Sequence, residues 1–143
     1  MRIVFDESTL EQSDNASRSI TAVLYFDFNG FCFPAERWND FAVVIIGWWL
    51  GALEKLARGA EREVILQFMD GPYWITLACE EGDAVLLRCT EDRRDAGVVH
   101  EEYADLSELR TQLRKVARQI ASACGRRGIE SSDVDVLRRY LPN

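Results

Sequence analysis

Residues 63–89 read EVILQFMDGPYWITLACEEGDAVLLRC, and how they divide decides the fold. Three apolar-rich runs, EVILQFM, YWITLACE and AVLLRC, are separated by Asp70-Gly71 and by Glu81-Gly82-Asp83. An Asp-Gly pair between apolar runs favours a tight hairpin turn, because glycine takes positive φ without a Cβ penalty. Strands joined by such short turns run antiparallel, since a parallel pair needs a crossover of a dozen residues or more. In the first strand Val64, Leu66 and Phe68 hold the buried parity. In the second, Tyr73, Ile75, Leu77 and Cys79 alternate against Trp74, Thr76, Ala78 and Glu80, a set of mixed polarity. Two environments are open to Trp74: cover by a neighbouring helix, the commoner state of a tryptophan, or exposure as an anchor beside carboxylates.

The flanking sequence extends the pattern. MRIVFDE alternates as a first strand, and the polar stretch STLEQSDNASRS reads as a loop or weak extension. ITAVLYFDF and FCF, joined by Asn29-Gly30, form a hairpin over residues 20–34 that Pro34 stops. Trp38, Phe41, Ile45, Trp48, Trp49, Ala52 and Leu56 then recur at helical spacing, with Val43, Val44, Ile46, Leu50 and Leu53 filling the remaining circumference. A helix apolar all round must be buried on several sides. Core packing is therefore the expectation for its tryptophans, Asn39 or Asp40 its cap and Gly59 its stop. Gly47 and Gly51, four apart on one face, imply a neighbour in close approach. GVVHEEY reads as a further strand. Leu106, Leu109, Leu113, Val116, Ile120 and Cys124 mark an amphipathic helix with Ser107 as cap and Gly125 or Gly128 as stop. A short last helix starts at Ser131 or Ser132 and ends before Pro142. The expected fold is one α+β domain over residues 1–143: an antiparallel sheet of about five to seven strands, a long buried central helix, and C-terminal helices packed on it.

Composition narrows the function classes. Apolar residues at 48% and charged residues at 29% describe a globular chain. The longest apolar run, Phe41 to Leu53, is thirteen residues, short of the roughly 18 that span a bilayer, and the first twenty residues hold no apolar signal core. A cytoplasmic protein without membrane association is expected. Residues 1–105 hold 20 acids and 9 bases, net −11; residues 106–143 hold 4 acids and 8 bases, net +4; together these give the net charge of −7. An acidic body repels nucleic acid and attracts basic proteins, although keeping the protein soluble is a sufficient reason for the charge.

Chemistry-bearing constellations are sparse. Cysteines 32, 79, 89 and 124 lie singly among apolar neighbours, which suits small buried thiols better than a zinc site. No cofactor or metal is expected. His100, the one histidine, could pair with Glu102 for acid–base work, but a half-exposed surface histidine is the favoured reading. The carboxylate pairs at 80–81, 91–92 and 101–102 read as a solvated rim. Catalysis is not expected. The residues chosen as a partner-binding set are Asp70, Tyr73, Trp74, Glu80, Glu81, Glu101 and Glu102: carboxylates at strand ends and turns, together with two aromatics beside a tight turn.

Three stretches, YFDFNGFCFPAERWNDF, IIGWW and FMDGPYW, resemble a group of small bacterial immunity proteins associated with polymorphic or contact-dependent toxin systems, over roughly residues 20 to 80. The resemblance implies a protein that is not an enzyme and that binds and blocks a cognate toxin domain. It carries over no site residues. The alternative is an α+β interaction or small-ligand-binding module, one form of which is a homodimer through a sheet edge.

Overall fold

The computed structural model describes residues 1–94 and 97–142. Asn29 and Gly30 take φ of 54° and 103°, the positive values that a two-residue turn demands. They join strands β2 (Ile20–Phe28) and β3 (Phe31–Phe33). On the other side β2 pairs with β1 (Arg2–Gln12), and it also pairs with the two-residue β4 (Asn39–Asp40), which completes a first four-stranded sheet. Helix α1 (Ala42–Ala57) follows. Strands β5 (Glu63–Gln67), β6 (Tyr73–Cys79), β7 (Ala84–Glu91) and β8 (Val98–Asp105) then form a second antiparallel sheet in chain order. Helices α2 (Leu106–Arg127) and α3 (Ser132–Arg139) end the fold.

The class is α+β, as expected. The strands divide between two sheets, however, instead of forming one sheet of five to seven. Turn chemistry determines which neighbours pair within a hairpin; whether two hairpin groups join depends on what lies between them, and here that is α1. Its Trp49 is fully buried and meets Phe26 of the first sheet, with ring centroids 5.6 Å apart, and Phe68 beside the second, 5.0 Å away. Trp49 Nε1 donates to the carbonyl of Gln67 at 2.9 Å, so the indole is buried with its polar atom satisfied.

Other local expectations are corrected. β1 runs on to Gln12 through a register shift between Asp6 and Glu11, so the first part of the stretch read as a loop or weak extension continues the strand. Thr9 Oγ1 bridges that irregularity, accepting from the N–H of Val23 at 2.8 Å. Phe41, not Asn39 or Asp40, is the N-cap residue of α1, and it makes no side-chain cap bond. Asp105, not Ser107, caps α2 by accepting from the N–H groups of Ser107 and Glu108. A carboxylate at this position also suits the positive end of the helix dipole. Ser131 caps α3, and Gly128 stops α2 at φ 66°. Trp48, expected in the core, is 50% exposed; adjacent helix positions differ by about 100°, so only one of the two tryptophans can face the sheets. The close neighbour of Gly47 and Gly51 is α3: a Cβ at Gly47 would lie 3.4 Å from Val136 Cγ1, and one at Gly51 3.0 Å from the Tyr140 hydroxyl.

One buried carboxylate ties these parts together. Asp40, 2% exposed, accepts from Phe41 N at 2.7 Å and from Trp38 Nε1 at 2.9 Å. It also accepts from the N–H of Asp70, in the β5–β6 turn, at 3.2 Å to both oxygens. It therefore joins the end of the first sheet, the start of α1 and a turn of the second sheet. Removing it orphans three part-buried donors that all bond to its carboxylate, each such charge-assisted bond worth about 1.5–3 kcal/mol. Asp40→Ala is expected to lower the urea-unfolding free energy by at least about 3 kcal/mol. A loss below about 1 kcal/mol, typical of surface positions, would show that the tie is dispensable.

Candidate functional site

The second sheet buries one face and leaves the other open. Val64, Leu66, Ile75, Leu77, Val85, Leu87 and Cys89 point inward and are buried. The opposite parity forms three rows by register: Glu63–Ala78–Leu86–Tyr103, Ile65–Thr76–Arg88–Glu101, and Gln67–Trp74–Thr90–Val98. In these rows the positions on β6 are half-buried and those on the edge strands are exposed, the pattern of a sheet face that no helix covers. Ile65 is 56% exposed and Tyr103 is 68% exposed. Ile65 lies diagonal to Trp74 and Tyr103 pairs with Leu86, so the face carries two apolar and aromatic pairs on either side of its middle row. Arg88 Nε donates to Glu101 Oε2 at 2.6 Å in the middle of this face. Both partners are exposed, so the pair orders the surface more than it stabilises the fold.

The seven residues expected to bind a partner do not form one cluster. Trp74 and Glu101 stand on the open face, two strands apart. Asp70 is exposed in the β5–β6 turn; Glu80 and Glu81 are exposed in the β6–β7 turn, at the other end of β6. Tyr73 points inward, edge-on to Phe33 and Trp38 with centroids 5.8 and 5.1 Å away, and its hydroxyl accepts from Arg93. The turn requires this: a Cβ on Gly71, which has φ 96°, would come within 2.8 Å of the Tyr73 ring. Glu102 faces inward, its carboxylate 2.7 Å from His100 Nε2. Ile65, Leu86 and Tyr103 were missed. The available signal was an apolar residue on the polar parity of its strand, as in Ile65 between Val64 and Leu66.

His100 is thus paired, against the favoured surface reading. Its ring also packs on Phe28 and Phe31, with centroids 4.5 and 5.2 Å away, closing the end of the first sheet onto the second. Its cross-strand partner is Cys89, so a thiol, an imidazole and a carboxylate share one inner face. Nucleophilic chemistry would need the thiolate. Burial pushes the Cys89 thiol up to about 12, and the Glu102 carboxylate adds to that. The arrangement therefore acts as a packed aromatic and polar joint. Burial also raises the Cys124 thiol, and all four cysteines are free thiols. No group of three or more metal-ligating side chains occurs among the described residues. No helix of the described residues is long and apolar enough to cross a membrane.

The fold and its open face define an α+β protein with an exposed four-stranded surface. Comparison with family models, curated proteins and solved structures gives no match.

The raised Cys89 pKa yields a direct test. In folded protein at pH 8, four units below about 12, iodoacetamide is expected to leave Cys89 unmodified, and to label it on unfolding in urea. Rapid modification of Cys89 in the native state, read by peptide mass spectrometry, would mean an accessible thiolate and would revive the nucleophile.

Proposed function

We propose that this chain is a non-enzymatic binding protein that captures a partner protein on the open face of its second sheet. The carrying observation is that face itself: Ile65 lies diagonal to Trp74 and Leu86 pairs with Tyr103, on either side of the Thr76–Arg88–Glu101 row and opposite a face turned to the core. Large aromatics on a rigid sheet supply contact area at little entropic cost, which is what interface anchors do. The rim is acidic, with Glu63 and Glu101 on the face and Glu80 and Glu81 at the adjoining turn. The charge of −7 further favours a cationic partner. A basic toxin domain, blocked by an immunity protein in the cytoplasm of the cell that makes both, fits this chemistry and the resemblance in residues 20–80. The alternative is a homodimer through β8, where the register turns the N–H and C=O groups of Glu101 and Tyr103 away from β7.

The test is co-expression with the C-terminal domain encoded by the gene immediately upstream. Co-purification and protection of the host cell are expected, with Trp74→Ala and Tyr103→Ala each weakening the complex about 30-fold or more, the loss expected of an anchor residue. Their melting temperatures should stay near that of the parent, because both side chains lie on the solvent face. Full-strength binding by both variants would remove the sheet face from the reading. Failure of co-purification and protection together would remove the toxin partner. A concentration-dependent dimer in sedimentation, abolished by a proline at Glu101, would favour the homodimer.

A further inference from the structure

A second surface lies at the other edge of the same sheet. A groove of about 730 Å³ is floored by α1 and walled by β5 on one side and α3 on the other. Gly47, Gly51 and Ala52 keep its floor low, and Trp48, half exposed, stands in it beside Ile65.

The β5 wall is a strand edge. The hydrogen bonds Phe68 N to Tyr73 O and Cys79 N to Arg62 O fix which residues of this strand pair with β6. They are the even-numbered ones, so Glu63, Ile65 and Gln67 turn their N–H and C=O groups to the free side. The Gln67 carbonyl is taken by Trp49 Nε1, which closes one end of the edge. Glu63 and Ile65 line the groove, and their outward N–H and C=O groups are spaced to receive another strand. The α1 floor from Val44 to Lys55 spans roughly 16 Å at ~1.5 Å per residue. That length holds about five extended residues at ~3.3 Å each, which matches β5.

Charge selects what enters. Glu61, Glu63 and Asp133 line the groove against a single Lys55. None of these three carboxylates has an ion-pair partner among the described residues. A second copy of this chain would bring seven further negative charges, whereas a cationic segment neutralises the wall.

We infer that this groove binds an extended segment of a partner protein, with alternating apolar and basic residues, added to the second sheet as a further strand on β5. One set of side chains would lie on Trp48 and Ala52, and the other would reach the carboxylates. This site uses the strand's edge, not its face, and stands whether or not the sheet face binds a toxin domain.

The test uses the full chain and an equimolar pool of end-blocked pentapeptides with Val, Ile or Leu alternating with Lys or Arg. Saturable amide shifts at Glu63 and Ile65, and an indole shift at Trp48, are expected in NMR titrations. A matching pool carrying Glu for Lys and Arg should bind about tenfold more weakly or worse. Ile65→Pro removes only an outward N–H, a position where an edge strand tolerates proline. It should cost at least tenfold in peptide affinity with an unchanged circular dichroism melt, while Ile65→Ala retains the backbone groups and loses less. If Ile65→Pro does not fold, Trp48→Ala, at a half-exposed position, carries the same expected loss. Trp74→Ala should leave peptide binding unchanged, which separates this site from the sheet face. The inference is overturned by the absence of saturable shifts up to about 1 mM peptide, or by equal binding of the acidic pool. Shifts confined to Thr76, Arg88 and Glu101, or a dimer that Ile65→Pro dissociates, would overturn it equally.

Discussion

The fold depends on one constraint: α1 is apolar almost all round, and most of its circumference must be covered. A single sheet covers one side of a helix. Two sheets and two further helices are needed here, and each takes a different stripe. Trp49 shows the division most directly, lying against Phe26 and Phe68 from the two sheets while its Nε1 satisfies the Gln67 carbonyl. α3 takes the glycine stripe, and α2 brings Leu109, Leu113, Val116 and Ile120 into the same core. Asp40 then fixes the angle at which the pieces meet, because its two oxygens serve donors from three of them. The hydrophobic term drives the assembly without direction; the Asp40 and Trp49 bonds supply direction.

Much of this was legible in the sequence, and the boundary of what was legible is physical. Asn29-Gly30 and Asp70-Gly71 marked their turns because positive φ is a local demand that a dipeptide either meets or does not. The α2 stripe was legible because its period is local too. The division into two sheets was not, since hairpin signals do not report whether separate hairpins pair. The extension of β1 to Gln12 was hidden for a related reason: Thr9 supplies a ladder bond from its side chain, so a strand continues through residues whose composition reads as loop. Asp40 was noticed as a helix cap. Its actual role, reaching a turn thirty residues on, is a tertiary fact.

The candidate site divides in the same way. Strand parity placed Trp74 opposite Ile75 and Leu77, and Glu101 opposite His100 and Glu102, so the open face was within reach of period-2 reasoning. Tyr73 stands beside a turn, yet its parity is that of Ile75, and parity prevails: it is buried. Glu80, Glu81 and Asp70 were grouped by composition, and the hairpins separate them to opposite ends of β6. Trp48 escaped because helical periodicity alone cannot say which stripe of an all-round apolar helix is left uncovered. That depends on where α3 docks, and α3 docks on Gly47 and Gly51.

Two open edges and one open face are a hazard for any sheet, since unpaired N–H and C=O groups template further strands. This chain limits the hazard with modest local means: β5 is only five residues long, one end of its edge is closed by Trp49, and β8 is distorted by a register shift opposite Cys89 and Thr90. These devices leave Ile65 and Tyr103 exposed. The remaining protection is charge. Glu63 and Glu101 stand beside those two residues, Arg88 offsets only one of them, and the molecule carries −7. Like charge keeps copies apart at the distance where strands would begin to pair, and it falls away only for a partner of opposite sign. The same carboxylates that oppose self-association suit the cationic partner proposed above, so on that reading the acidity of the chain and the exposure of its sheet become one property.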